Sequence, residues 1–356
     1  MKITFVVPAL NLTGGLRVIS IYAELLSRKG HTVTVVSPNK KTPTLKDRVK
    51  TVLKWKGYQF KSYFDTTFFE NADYRVVLSR NESQIFQEDV PDADIVIATF
   101  WSTAEWVAEF SPKKGRKVYF IQGYEVHPWM PKRRVEATFK LPFKKIVVSK
   151  WIADILYNKY SLSDVTIVGN GVDDKQFYSR PRSKNACFTV GVMYANELSP
   201  KGCNTSIAAV LKARELIPNV KLVAFARRSP VASLPLPENS EFYLKPAQED
   251  IRAIYGQCDA WLFGSRSEGF GLPILEAMAC GTPVIGTRAG AAPELLQQGA
   301  GFLVDVDDVD AMAAAIVKMA KMEAKEWLTF SDNAFAVAKE HSWVKKVDEF
   351  EQAILN

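Results

Sequence analysis

Short, almost uninterrupted apolar runs recur along this chain, each separated from the next by a stretch of helical periodicity. That alternation leaves few folds open. In the first half the runs are KITFVVPA, HTVTVVS, ADIVIAT, KVYFIQ, KKIVVS and DVTIV. In the second half they are CFTVGVMY, KLVAFA, EFYLK, DAWLFG, TPVIG and GFLV. Strands that are apolar on both faces suit a parallel sheet covered by helices on either side. Between the first two runs, GGLRVISIYAELLSRKG places Val18, Ile21, Tyr22, Leu25 and Leu26 on one helical face, and Gly30 suits its C-terminal end. The Pro- and Arg-containing stretch at 180–185 reads as a linker. The expectation is an α/β protein of two doubly wound Rossmann-like domains, 1–180 and 181–340, facing across a cleft. Ligands of such sheets bind beyond the carboxyl ends of the strands, so the crevice is the default site. The segment from Lys40 to Asp73 has weaker periodicity and is expected to be a mobile insertion or helical hairpin rich in basic residues.

With 356 residues the chain can bury two cores. No apolar run reaches the ~20 residues needed to span a bilayer. MKITFVVPAL reads as a first buried strand and not as a signal peptide. Cys187, Cys203, Cys258 and Cys280 have no metal-ligand spacing, which argues against a zinc site and for a reduced, cytoplasmic setting. Charge is uneven: residues 1–180 hold 28 Lys and Arg against 18 Asp and Glu, whereas 181–356 hold 18 against 21. Aromatics lie among the lysines around 40–61 and 132–145. Either this is a solvated surface, or it is a patch for an anionic acceptor or the inner face of a membrane. No nucleic-acid motif accompanies it.

One stretch carries chemistry. SRSEGFGLPILEAMACGTPVIG, from Ser265 to Gly286, holds Glu268 and Glu276 with seven residues between them. Pro273 suits the start of a helix and Gly281 its end. Backbone N–H groups near Phe270, Gly271 and Leu272 then lie at a helix N-terminus, where an anion is favoured. A carboxylate on either side of a phosphate site fits a nucleotide sugar, whose two polyol ends can each donate to an acid. Alternatively, the glutamates simply stabilise the start of a helix.

This stretch closely resembles the signature of retaining glycosyltransferases of the GT-B fold, glycosyltransferase family 4. The resemblance continues in PALNLTGGLRV, in VGNGVDDKQF, in SPKG and in HSWVKKVDEFEQAI. It implies that Gly14 and Gly15 open the first helix against the donor diphosphate and that Lys201 neutralises that diphosphate. It implies that Glu268 holds the donor sugar, that Phe270, Gly271 and Leu272 give backbone contacts, and that Glu276 holds the ribose. It also implies that the terminal helix, 341–356, returns to the first domain. The chain departs from the family pattern at two places. Val192 stands where an Arg is expected, for which Arg227 or Arg228 are possible substitutes. Gln122 stands where a His is expected, with His127 five residues later. Gln122, Tyr124, Glu125 and His127 are the acceptor-side candidates.

The implied reaction is transfer of a hexose, with UDP-glucose or a similar UDP-hexose as the expected donor. The expected acceptor is a saccharide or a lipid-linked saccharide. Neither metal nor cofactor is expected, because no Asp-x-Asp motif is present and the acidic run at 305–310 reads as a loop and helix cap. Two other readings stay open: a nucleotide-sugar-binding protein without turnover, and an epimerase of the same fold. A dehydrogenase lacks its G-x-G-x-x-G after the first strand.

Overall fold

In the computed structural model the described residues are 1–39, 68–70, 72–127, 129–196, 199–297 and 299–356. Most of the anticipated insertion therefore lies outside the described residues. Seven strands form the first sheet: β1 (Lys2–Val6), β2 (Thr32–Ser37), β3 (Arg75–Leu78), β4 (Ile95–Ala98), β5 (Arg116–Ile121), β6 (Lys144–Val147) and β7 (Val165–Ile167). Their order is β3-β2-β1-β4-β5-β6-β7. Six strands form the second: β8 (Thr189–Met193), β9 (Lys221–Ala226), β10 (Glu241–Leu244), β11 (Ala260–Phe263), β12 (Val284–Thr287) and β13 (Gly301–Val304). Their order is β10-β9-β8-β11-β12-β13. Pairing is parallel throughout the registered ladders, for example Phe5 opposite Val35 and Ile97, and Val192 opposite Ala224 and Leu262.

These topologies follow from the sequence pattern. Strands such as Ile95–Ala98 and Ala260–Phe263 are buried at every position, which only a sheet covered on both faces allows. In each sheet the strand order reverses once, between β1 and β4 and between β8 and β11. Those are the switch points beyond which doubly wound sheets bind ligands.

The chain forms two units. One comprises Met1–Val147, Leu156–Thr166 and Val347–Asn356; the other comprises Val148–Ile155 and Ile167–Lys346. The division falls at 166/167, ahead of the 180/181 boundary expected from the linker, and the chain returns to the first unit at Val347. In the first unit, Phe350 of the helix Trp343–Leu355 is fully buried. It stacks on Tyr22 at 4.3 Å, with Phe120 edge-on at 5.0 Å. His31 pairs with Glu351 on the same helix at 2.6 Å, so its role is structural.

β3 is the strand the apolar pattern does not reveal. It sits at a sheet edge and none of its four residues is buried, as is also true of β7 and β10. No helix among the described residues is long and apolar enough to cross a membrane.

Candidate functional sites

In the second unit, the loop after β8 enters the helix Cys203–Arg214 through Gly202, which has φ +57°. A Cβ on Gly202 would lie 1.8 Å from the Gly264 carbonyl oxygen, and one on Gly264 would lie 2.6 Å from that of Gly202. Two backbones therefore touch where any side chain would separate them. The contact brings Lys201 to the loop that follows β11. There Lys201 Nζ lies 2.5 Å from Glu268 Oε1, which also accepts from Ser265 Oγ at 2.9 Å. The Glu268 side chain is only 13% exposed and that of Lys201 32%.

Arg266 locks the same two loops. Its N–H donates to Pro200 O at 2.7 Å, and its guanidinium donates to Asn204 Oδ1 at 3.0 Å and to Asp307 Oδ2 at 2.8 Å. Asp307 sits at φ +61°, unusual for a residue with a side chain, and also accepts from Thr205 Oγ1 at 2.9 Å. The Arg266 bond holds its carboxyl below the usual range. The other acids of 305–310 are likewise engaged: Asp305 with Arg288, Asp310 with Lys212, and Asp308 as the cap on Ala311 N–H. Among the described residues no group of three or more His, Cys, Asp or Glu is placed to hold a metal ion.

Gly271, at φ +102°, opens the helix Leu272–Ala279, and Pro273 takes its second position rather than the first. The loop before it is held from both sides. Ser149 Oγ donates to Gly269 O at 2.8 Å, and Ala291 N–H donates to Phe270 O at 2.8 Å. Phe270 is buried against Gly169. Neither Gly202 nor Gly271 can cap its helix with a side chain, so first-turn N–H groups stay available to an anion. Glu276, one turn into its helix, accepts from the buried Tyr255 hydroxyl at 2.9 Å. The unit thus offers a cation, two uncapped helix starts and two carboxylates.

Arg227 and Arg228 lie exposed directly after β9. Val192, next to the last residue of β8, is buried in the core of its unit, where a guanidinium would need a partner. Arg266, Ser265 and Asp307 are the site residues that sequence reasoning passes over. Their signal is the left-handed Asp307, which is invisible without coordinates.

In the first unit, Gly14 and Gly15 begin the helix Gly14–Arg28 after Thr13, again without a side-chain cap. A Cβ on Gly15 would meet the Gln122 side-chain amide at 3.5 Å, so the start of the helix after β1 and the residue just past β5 are neighbours. Glu125, a little further along, accepts from Trp101 N–H at 3.4 Å, at the head of the helix Trp101–Ala108 that follows β4. Burial pushes its carboxyl up to about 8, opposed by that N–H. Tyr124 turns elsewhere: its hydroxyl meets that of Tyr160 at 3.0 Å, and Lys159 lies over its ring. His127 stacks on Trp129 at 4.8 Å. Of the four acceptor-side candidates, Gln122 and Glu125 flank the switch point of this sheet, while Tyr124 packs against the Phe139 side.

Residues 189–336 match the family model of glycosyl transferases group 1. Curated relatives include the O-antigen chain mannosyltransferase B of Escherichia coli, 38% identical over 96 residues, which are 27% of this chain and 24% of that protein. Another is the N-acetyl-alpha-D-glucosaminyl L-malate synthase of Bacillus anthracis, 42% identical over 77 residues, 21% of this chain and 20% of that protein. The chain thus matches about a quarter or less of these relatives' lengths. Among solved structures, Anabaena HepE in complex with UDP superposes with a TM-score of 0.74 at 18% identity, over the whole of both chains. Sucrose-phosphate synthase from Thermosynechococcus elongatus gives 0.70 at 17% identity, over 99% of this chain and 98% of that one. At such identities the likeness speaks for the fold alone, two Rossmann-like α/β domains of the GT-B fold class.

Proposed function

We propose that this protein is a glycosyltransferase that moves a hexose from a nucleotide-sugar donor to a saccharide or lipid-linked saccharide acceptor, with retention at the anomeric carbon. UDP-glucose or a similar UDP-hexose is the donor of choice. The observation that carries this reading is the Lys201–Glu268 pair beside two uncapped helix starts. A nucleoside diphosphate leaving group needs fixed positive potential, which Lys201 and the helix N-termini provide without reorganising. Sugar hydroxyls need acceptors, which Glu268 provides for the hexose and Glu276 for the ribose. In the resting protein Lys201 and Glu268 satisfy each other, and a donor would exchange that contact for its own phosphate and hydroxyls. Support also comes from the group 1 match over 189–336 and from the UDP-bound Anabaena relative. We further propose a cytoplasmic protein that works without metal or cofactor and touches the inner face of the membrane through its basic first unit.

A thermal-shift panel of UDP, GDP, ADP, dTDP and their sugars, with and without EDTA, tests the donor assignment. A ligand bound only by the folded state raises the melting temperature by mass action. One base should give a clear shift that EDTA leaves unchanged. No shift with any nucleotide would refute the assignment. Burial of Val192 where a second cation is expected favours one rival, a binder without turnover. Release of free nucleoside diphosphate from the shifting donor decides between them.

A further inference from the structure

We propose that Asp307, on the loop after β13, is a positioning residue for the nucleotide site of the second unit: through Arg266 it sets where Lys201 stands, and so how tightly a nucleoside diphosphate is held, an inference that rests on the nucleotide-sugar reading. Asp307 is far from both site residues in sequence, and it touches neither. Its influence runs through one guanidinium.

Arg266 stands two residues before Glu268. Its backbone N–H donates to the carbonyl of Pro200, the residue before Lys201, at 2.7 Å. Its Nη1 reaches Ser199 O at 3.4 Å and its Nη2 reaches Asn204 Oδ1 at 3.0 Å. One residue thus ties the loop that carries Glu268 to the chain on both sides of Lys201. Asp307 fixes that residue with a two-pronged contact, Nε to Oδ2 at 2.8 Å and Nη2 to Oδ1 at 2.7 Å. A bidentate pair of this kind sets orientation as well as distance. The same carboxylate accepts from Thr205 Oγ1 at 2.9 Å, in the first turn of the helix that Lys201 precedes. The Gly202–Gly264 contact sets how closely the two loops approach. The fork adds control of how they are turned.

The backbone at Asp307 points the same way. Its φ of +61° is a conformation that costs a residue with a side chain, and Asp and Asn tolerate it better than most. A glycine would make the same turn without that cost. The turn alone therefore does not call for an aspartate, and both contacts of its side chain lead to the stretch around Lys201. A strained residue whose contacts converge on a binding site is what a positioning role predicts.

The test is titration calorimetry with the nucleoside diphosphate that gives wild type its largest thermal shift. This probe carries no sugar, so it reads the Lys201 arm of the site. Asp307→Gly and Asp307→Asn both accept the left-handed backbone, and their melting temperatures without ligand report on the fold. Asp307→Gly should weaken binding about tenfold, because a small misplacement of a charged group is costly. Arg266→Lys, which keeps the charge and loses the fork, should resemble it. Asp307→Asn, which keeps an acceptor oxygen, should recover part of the loss. In a Lys201→Ala background Asp307→Gly should cost less than about threefold, because two residues that act through one contact are not additive. A merely structural role would give the same loss with and without Lys201. That result, or binding by Asp307→Gly within about twofold of wild type, would overturn the inference while leaving the donor assignment standing. Failure of wild type to bind any nucleotide would refute the donor assignment, and the inference with it.

Discussion

At the scale of single residues, the chemistry concentrates in groups whose partners lie far away in sequence. Lys201 and Glu268 are separated by 67 positions and meet at 2.5 Å. Both side chains are largely shielded, so removing either leaves its partner's charge poorly compensated and costs stability as well as function. Lys201→Ala and Glu268→Ala should each lower nucleoside diphosphate release about 100-fold, with the melting temperature of each variant followed in parallel to separate loss of the site from loss of the fold. Wild-type rates in both would remove the assignment. Glu125 gives a prediction of opposite kind, in stability. Its folded-state value, about 8, lies above the ordinary 4.5, so the unfolded chain loses this proton first. Stability is then fully present below pH 4.5 and is lost as pH rises toward 8. Glu125→Gln removes that loss. Its melting temperature should exceed that of wild type by several degrees at pH 9 and converge with it near pH 4.5. A gap independent of pH would mean that the carboxyl is not held neutral. The glutamates and the lysine were legible as residue types in motifs. Their pairing, the Arg266–Asp307 lock and the burial of Glu125 were not, because each depends on loops from different strands meeting beyond the carboxyl ends of a sheet.

At the scale of elements, glycines set the approach of one loop to another. Gly202 is both left-handed and in contact with the Gly264 carbonyl, so Gly202→Ala has no conformation that spares the contact. It should move Lys201 away from Glu268 and weaken nucleotide binding together with the fold. Gly256→Ala, in the same unit, where an added Cβ meets nothing within 4 Å, is the matched control. The helix Trp343–Leu355 makes the corresponding point for packing. Phe350→Ala would open a cavity among Phe5, Tyr22 and Phe120, at a cost of about 3–5 kcal/mol. Urea unfolding of the variant measures it, and a cost below about 1 kcal/mol would show that the helix does not share this core. Strand positions were readable from sequence wherever both faces are buried, as in Ala260–Phe263. The edge strand Arg75–Leu78 went unread; the equally unburied edge strands Val165–Ile167 and Glu241–Leu244 were read, so burial alone does not account for the difference.

At the scale of the whole molecule, charge is the property that no single site explains. The first 180 residues carry an excess of ten positive charges and the remainder a deficit of three. Among the described residues, part of that excess lies beside the loop after β5. Trp129 is 72% exposed, and Lys132 and Arg133 follow it on the surface, whereas Arg134 is paired with Glu105. Not all of the anticipated 132–145 cluster takes part. Lys145 is buried and donates to Leu141 O and Phe143 O, so it is a structural cation and cannot face a membrane. The 40–61 cluster lies outside the described residues. An exposed Trp beside cations suits the boundary between headgroups and acyl chains, each cation contributing about 1 kcal/mol near an anionic surface. Vesicles containing phosphatidylserine should bind the protein, and binding should weaken as salt rises, because the contact is screened. The double substitution Lys132→Ala and Arg133→Ala should weaken binding about tenfold or more, and Trp129→Ala should weaken it further and less dependently on salt. Neither change touches the nucleotide site, so the thermal shift with nucleotides should be intact in both. Vesicle binding that ignores salt and all three substitutions would remove the membrane reading and leave an anionic acceptor or a plain solvated surface to account for the basic first half.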